Sequence, residues 1–381
     1  MRAARIVPSM IPSELVLERA LAAGFDLAGL APAAPPERAN EFRAWLAAGR
    51  HGSMEYLRAF EPRITAPERD LPWARAILVV GLAHSRGAFA TEDGARVARY
   101  AAGRDYHNVV GKRLKRLALG LKRDGLIRDF RKVVDAGPLL ERSHAATAGV
   151  GFESKAANLL HPRFGPWFFL GELVLDTELA PTSTPPAGAC GSCTACLDAC
   201  PTEAIVAPGE VDARRCLSYL TIEHEGPVAE EFRPAFEDWV FGCDVCSEVC
   251  PWGRRAPDLA TRFGTHPAVE AGPMSWLEGG LAAPEALAGS PLQRAGSERL
   301  IRNALLRAGN RPTDAGRGHL LAHLAGSASP TLRGAAAWSL ARAHGRDAGV
   351  AAALGAALAR EDDAAVRTDL ERGLDRIAGA G

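Results

Sequence analysis

Eight cysteines, all between Cys190 and Cys250, are the residues whose type and spacing point most directly to chemistry. They fall as Cys190-x2-Cys193-x2-Cys196-x3-Cys200-Pro201, a lone Cys216, and Cys243-x2-Cys246-x3-Cys250-Pro251. The first run has the bacterial spacing for an iron–sulfur cubane, in which the fourth cysteine serves the other cluster of a pair. A tight loop brings three thiolates to three corners, and its N–H groups point at the sulfurs. The proline after the last cysteine offers no N–H and turns the chain away. The second run repeats the first with its leading member moved upstream to Cys216. Crossing the fourth ligands assigns Cys190, Cys193, Cys196 and Cys250 to one 4Fe–4S cluster. Cys200, Cys216, Cys243 and Cys246 hold the other, and none of the eight is left over. Two zinc sites are the alternative, but these usually pair two CxxC elements across a longer spacer.

Two neighbouring clusters imply one-electron transfer. A simple carrier has no use for the roughly 180 residues ahead of the cysteines, so an enzyme is expected. The 381-residue chain is 47% apolar and 24% charged, an ordinary globular composition with room for two or three domains. Its most apolar stretch, AILVVGLA at Ala76–Ala83, is far short of the ~20 residues that span a bilayer. The N-terminal MRAARIVPSMIPSEL has no continuous apolar core and no small-residue cleavage site. A cytoplasmic protein with no membrane segment is expected, where thiols stay reduced and metal explains the cysteines better than disulfides.

These ligands need a scaffold. The expected fold class is α+β and multi-domain. Residues 1–181 read as an α/β domain, 182–257 as a ferredoxin-like di-cluster module and 258–381 as a helical tail. In the first, residues 14–23, 40–48 and 108–123 have helical apolar spacing, and another helix starts at Leu139. Residues 25–30, 76–83, 130–134 and 167–175 read as strands, the second buried on both faces. TSTPPAG at 182–188 is a linker. The tail carries a 34-residue repeat: Leu320, Leu324, Leu332, Arg333 and Leu340 return as Leu354, Leu358, Val366, Arg367 and Leu374. Each unit reads as two antiparallel helices of HEAT-like type, or more plainly as a helical cap on the preceding domain.

The net charge is zero, yet residues 99–132 hold eleven Lys or Arg against three Asp or Glu, a local net of +8. With Tyr100, Tyr106 and His107 nearby, this stripe suits a phosphate backbone and splayed bases, unless it is only a solvated helix face. Asp135 ends the apolar KVVD, where burial would raise a carboxyl pKa and keep it protonated. Capping the helix that follows is its plainer role.

Around the cysteines stand CGSCTACLDACPTEAI, RCLSYLTIEHEGPVAEEFRP and WVFGCDVCSEVCPW. Upstream are GRDYH, VDAGPLLER, AGVGFESK and HPRFGPWFFLGE, and downstream SPLQRAGSERLIRNAL. In this combination the chain closely resembles the epoxyqueuosine reductases, the cobalamin-dependent enzymes that complete queuosine in tRNA. The resemblance implies reduction of epoxyqueuosine at the wobble position of the anticodon. It implies a base-off cobalamin between a reductive-dehalogenase-like domain and the cluster module. An external one-electron donor such as ferredoxin or flavodoxin feeds the clusters. It makes Asp135 the proton donor, and places Arg63, Lys155, Ser218 and Asp244 at the corrin and Tyr106 and His107 at the substrate. A monomer is expected. Arg302 and Asn303 would extend the tRNA surface onto the tail. Two positions depart from the family pattern: Ala136 where Thr is common, and Ser154 where many relatives have Gly.

Two other readings compete. A corrinoid enzyme acting on a small halogenated molecule would share the clusters, but it usually carries an export signal and has no use for a basic stripe. An iron–sulfur carrier would need neither Asp135 nor a corrin pocket.

Overall fold

AILVVGLA forms the second strand of a four-stranded sheet and is buried at every position. The strands are β1 (Leu27–Pro32), β2 (Ala76–Ala83), β3 (Phe130–Val133) and β4 (Phe168–Leu175), in the spatial order β1-β2-β4-β3. In the computed structural model, residues 13–84, 87, 90–182, 188–259, 262–283 and 285–379 are described. Among the described residues five helices of seven or more residues accompany the sheet: α1 (Ser13–Ala22), α2 (Ala39–Ala47), α3 (Tyr56–Ile64), α4 (Tyr106–Arg123) and α5 (Glu141–Thr147). Alternation along β2 sends Leu78, Val80 and Leu82 into one core with Val16 of α1 and Val110 and Leu114 of α4. Ile77 and Val79 enter the opposite core with Ala145 of α5. Each fully buried Leu or Ile contributes about 1.5–3 kcal/mol relative to exposure. Helices and strands mix as expected, but every pairing in the sheet is antiparallel, which is α+β rather than parallel α/β.

A third core draws on all three segments of the chain. Ala95, Val97 and Ala101 share it with Leu217, Phe236 and Phe241 of the cysteine-rich region and with Leu300, Trp338, Leu354 and Leu370 of the tail. A short parallel pairing of Arg96–Val97 with Trp239–Phe241 stitches the first unit to the second. The cysteine-rich region holds α6 (Leu217–Ile222) and several single turns. Most of the linker lies outside the described residues.

The tail comprises α7 (Gly296–Asn310), α8 (Asp314–Gly326), α9 (Pro330–His344), α10 (Ala348–Leu358) and α11 (Ala364–Gly379). Helices α7, α9 and α11 pack side by side, with α8 on α9 and α10 on α11. The repeat seen in sequence has a physical counterpart at the two turns. Arg333 donates to the carbonyls of Ser327 and Ala328 at 3.0 and 3.1 Å, and Arg367 to those of Leu358 and Glu361 at 3.0 Å.

Arg302 and Asn303 do not form a surface. Both are buried, Arg302 donating to the carbonyls of His224, Gly226 and Leu220 and Asn303 to those of Thr221 and Val240. Their polar atoms satisfy the end of α6, where backbone carbonyls have no helical partners. This overturns the expectation that they contact tRNA. Arg233 and Asp369 add a buried ion pair at 2.9 Å between the cysteine-rich region and α11.

Candidate active site and cluster ligands

Asp105 begins the site by capping α4: its carboxylate accepts the His107 N–H at 2.9 Å and faces His107 Nδ1 at 2.8 Å. That cap starts the helix with Tyr106 and His107 side by side. The Tyr106 ring stacks on Phe169 of β4, with centroids 4.4 Å apart, and on His107 at 4.1 Å. Asp135 arrives from the end of β3. The Tyr106 hydroxyl donates to Asp135 Oδ2 at 2.5 Å, and His107 Nε2 lies 3.6 Å from the same oxygen. The last distance suits an ion pair and is too long for a direct hydrogen bond.

Asp135 is hemmed in by protein, yet its side chain remains 64% exposed, so a ligand can reach it. Burial pushes its carboxyl up, but nearby His107 and the Tyr106 hydrogen bond outweigh this and leave it below its ordinary value. For His107 burial acts downward, while Asp135 and Asp105 outweigh it and hold the imidazole above its ordinary value. Burial first, then the charge of Asp135, keeps the Tyr106 phenol protonated. The expectation that burial would protonate Asp135 is therefore overturned. The balance favours protons on His107 and Tyr106 and negative charge on Asp135.

None of the eight cysteines forms a disulfide. Cys190, Cys193, Cys196, Cys246 and Cys250 all line one cavity of about 230 Å³. Cys200, Cys216, Cys243 and Cys246 are electrostatic neighbours. Burial raises Cys216, with Cys200 adding to it, and burial raises Cys243, with Cys216 and Cys246 adding. Burial pushes Cys246 up to about 12. Crowded, desolvated thiols of this kind become thiolates only when a cationic centre offsets their charge. The fold thus brings cysteines of both runs near one another, with Cys246 coupled to Cys216 and to Cys196.

Backbone and side chains support both sets. The Ala204 N–H points at Cys200 Sγ at 3.2 Å. Lys155 Nζ donates to the carbonyls of Gly191 and Cys193 at 2.8 and 2.9 Å, tying the first ligand loop to the sheet domain.

Two segments match known families: residues 65–136 match the model described as epoxyqueuosine reductase QueG, DUF1730, and residues 189–253 match the 4Fe-4S double cluster binding domain. The epoxyqueuosine reductase of Xanthomonas campestris pv. campestris is 39% identical over 302 residues, covering 76% of this chain and 84% of the relative. The chain belongs to the epoxyqueuosine reductase family. A crystal structure of an epoxyqueuosine reductase with an epoxyqueuosine-modified tRNA-Tyr stem loop superposes with TM-score 0.83 at 28% identity, covering 96% of this chain and 98% of that one. A Bacillus subtilis epoxyqueuosine reductase, with its catalytic aspartate loop swung out of the active site, superposes with TM-score 0.82 at 27% identity, covering 95% and 98%.

In this family member the four residues expected at the corrin occupy different settings. Arg63 ends α3, is half exposed, and lies 3.4 Å from Asp70, which also accepts from Arg131 at 2.9 Å. Ser218 is half-buried in the first turn of α6, two residues beyond Cys216. Asp244 is buried and engaged: Arg99 donates to it from its backbone at 2.8 Å and from its guanidinium at 3.1 Å. Lys155 is committed to the ligand loop. Tyr100 was read from sequence only as a neighbour of the basic stripe, and Glu141 and Glu172 were given no role. Tyr100 is half-buried, and desolvation raises it first, with Asp135, Asp244 and Glu223 adding and Arg294 opposing. Glu172 carried a visible signal: it is a carboxyl in the middle of the apolar strand FFLGELVL.

Proposed function

We propose that this chain reduces epoxyqueuosine to queuosine at the wobble position of tRNA in the cytoplasm. Electrons pass one at a time from an external donor of the ferredoxin or flavodoxin type, through two 4Fe–4S clusters, to a bound cobalamin. One observation carries the reading beyond family membership: a reachable Asp135, which accepts from Tyr106 and lies 3.6 Å from His107, acts on Tyr100 together with Asp244 of the cysteine-rich module. Glu223 and Arg294 act on Tyr100 as well, so charged groups of all three units lie near this ring.

The region around that ring is assigned to a corrin, a large ring with polar amide arms. Arg63 and Ser218 are available to hold such arms, while Lys155 and Asp244 act from behind through the ligand loop and Arg99. When bound and reduced, the corrin supplies a nucleophile for an epoxide carbon and the electrons that expel the oxygen. The protein supplies the protons. Asp135 delivers one to the epoxide oxygen after receiving it from His107, whose 3.6 Å separation closes to hydrogen-bond reach once substrate is bound. Two electrons and two protons convert the epoxide to an alkene and water.

Substrate binding is assigned to the basic face of α4, where Lys112, Lys115, Arg116, Lys122 and Arg123 are exposed. The chain is read as a monomer of three working units, 1–181, 182–257 and 258–381, with a reductive-dehalogenase-like first unit. The tail is read as HEAT-like, with its paired helices offering a flank to the tRNA.

The deciding experiment is an anaerobic assay with an epoxyqueuosine-containing stem loop, cobalamin and a strong reductant. Wild type converts the nucleoside. Asp135→Asn keeps both clusters and binds cobalamin but loses about 10²–10⁴-fold in kcat, the usual worth of a general acid. Full turnover by that variant removes Asp135 from the mechanism.

A further inference from the structure

Glu141 and Glu172 lie beside the acid and have no part in the reaction described above. Asp135 has φ +52°, in the left-handed region that a residue with a Cβ seldom adopts. A backbone in that region persists only where its surroundings hold it. Here the Asp135 N–H donates to Glu141 Oε1 at 2.7 Å. Glu141 is the first residue of α5, which packs against β1, β2 and β4, so the acceptor is anchored to the sheet.

Glu172 lies on β4 opposite Val79 of β2 and Val133 of β3. It is fully buried, and neither of its carboxyl oxygens has a hydrogen-bond partner among the described residues. An ionised carboxylate there would be an unpaired buried charge, so Glu172 is neutral. Burial first, then the charge of Asp135, pushes Glu141 up to about 8, and Glu141 in turn adds to the rise at Glu172. A neutral Glu141 still accepts the Asp135 N–H through its carbonyl oxygen, and it does not repel the Asp135 carboxylate.

We propose that Glu141 is a positioning residue: it holds the Asp135 backbone N–H and so keeps the Asp135 carboxylate between Tyr106 and His107. The proposal rests on the reading of Asp135 as the proton donor. What it requires of residue 141 is an uncharged acceptor of the same reach, which Glu141→Gln supplies and Glu141→Ala does not.

The test compares Asp135→Asn, Glu141→Ala and Glu141→Gln as holoenzymes with both clusters and cobalamin. Amide hydrogen exchange over residues 133–140 is measured beside turnover on an epoxyqueuosine stem loop. Glu141→Ala is expected to speed exchange at Asp135 and to lower kcat about 10- to 100-fold, the scale of a displaced catalytic group, with KM for the stem loop unchanged. Glu141→Gln is expected to keep wild-type protection and kcat. An inactive Asp135→Asn beside an unimpaired Glu141→Ala overturns the positioning role and leaves the acid in place. An active Asp135→Asn overturns both. If Glu141→Ala fails to fold, Glu141→Gln decides: loss of protection or turnover in that variant overturns the proposal.

Discussion

At the scale of single residues, the site works by dividing protons among neighbours. Asp135 is held below its ordinary value because His107 and Tyr106 outweigh the effect of burial, and His107 is held above its own. The signs set a pH dependence. A histidine with a raised folded-state pKa keeps its proton below that value and loses it as pH rises through it, taking its stabilising contribution along. Turnover should therefore fall on an alkaline limb governed by His107, measured as kcat against pH. His107→Gln should lower kcat about 10- to 100-fold, within the lower range of acid–base effects, and flatten that limb. A limb unchanged in the variant would remove His107 from the proton supply. Tyr106 and His107 were legible from GRDYH, but their effect on Asp135 was not. Strand position suggested burial, whereas the balance depends on donors from another element.

At the scale of elements, the tail is fastened to the cysteine-rich region by buried polar groups as well as apolar packing. Arg302 is 1% exposed and its guanidinium caps carbonyls at the end of α6. Arg302→Leu would leave the carbonyls of Leu220, His224 and Gly226 without that partner. It is expected to destabilise the fold by about 3–5 kcal/mol, read as a lower midpoint in denaturant. The element that carries the basic stripe is different in kind. Exposed Lys115 and Arg116 on α4 make no buried contact to lose. Exchanging both for Glu should leave stability nearly unchanged while weakening stem-loop binding at low salt. The slope of log K against log salt should shrink by about 0.7 for each single-strand phosphate contact removed. Equal slopes in variant and wild type would move the tRNA to another face.

At the scale of the whole molecule, the chain folds so that two cysteine runs far apart in sequence complete each other. Cys250 lines the cavity of Cys190, Cys193 and Cys196 although it lies 54 residues beyond the last of them. Cys250→Ser should therefore cost the cluster of the first loop, and anaerobic preparations should retain about four irons of eight. Loss of the cluster associated with Cys243 and Cys246 instead would refute the crossed assignment. No helix among the described residues is long and apolar enough to cross a membrane.

The double-cluster module could be read directly from the chain because cubane ligation is written into local spacing: three thiolates on one tight loop need no distant residue to be recognised. Most helices and strands were equally legible, since apolar periodicity reports which face of an element will be covered. The charge state of Asp135, the burial of Arg302 and Asn303, and the roles of Glu141 and Glu172 were not. Each depends on which groups meet in space across tens to hundreds of residues, and both pKa and burial are properties of that meeting rather than of the residue alone.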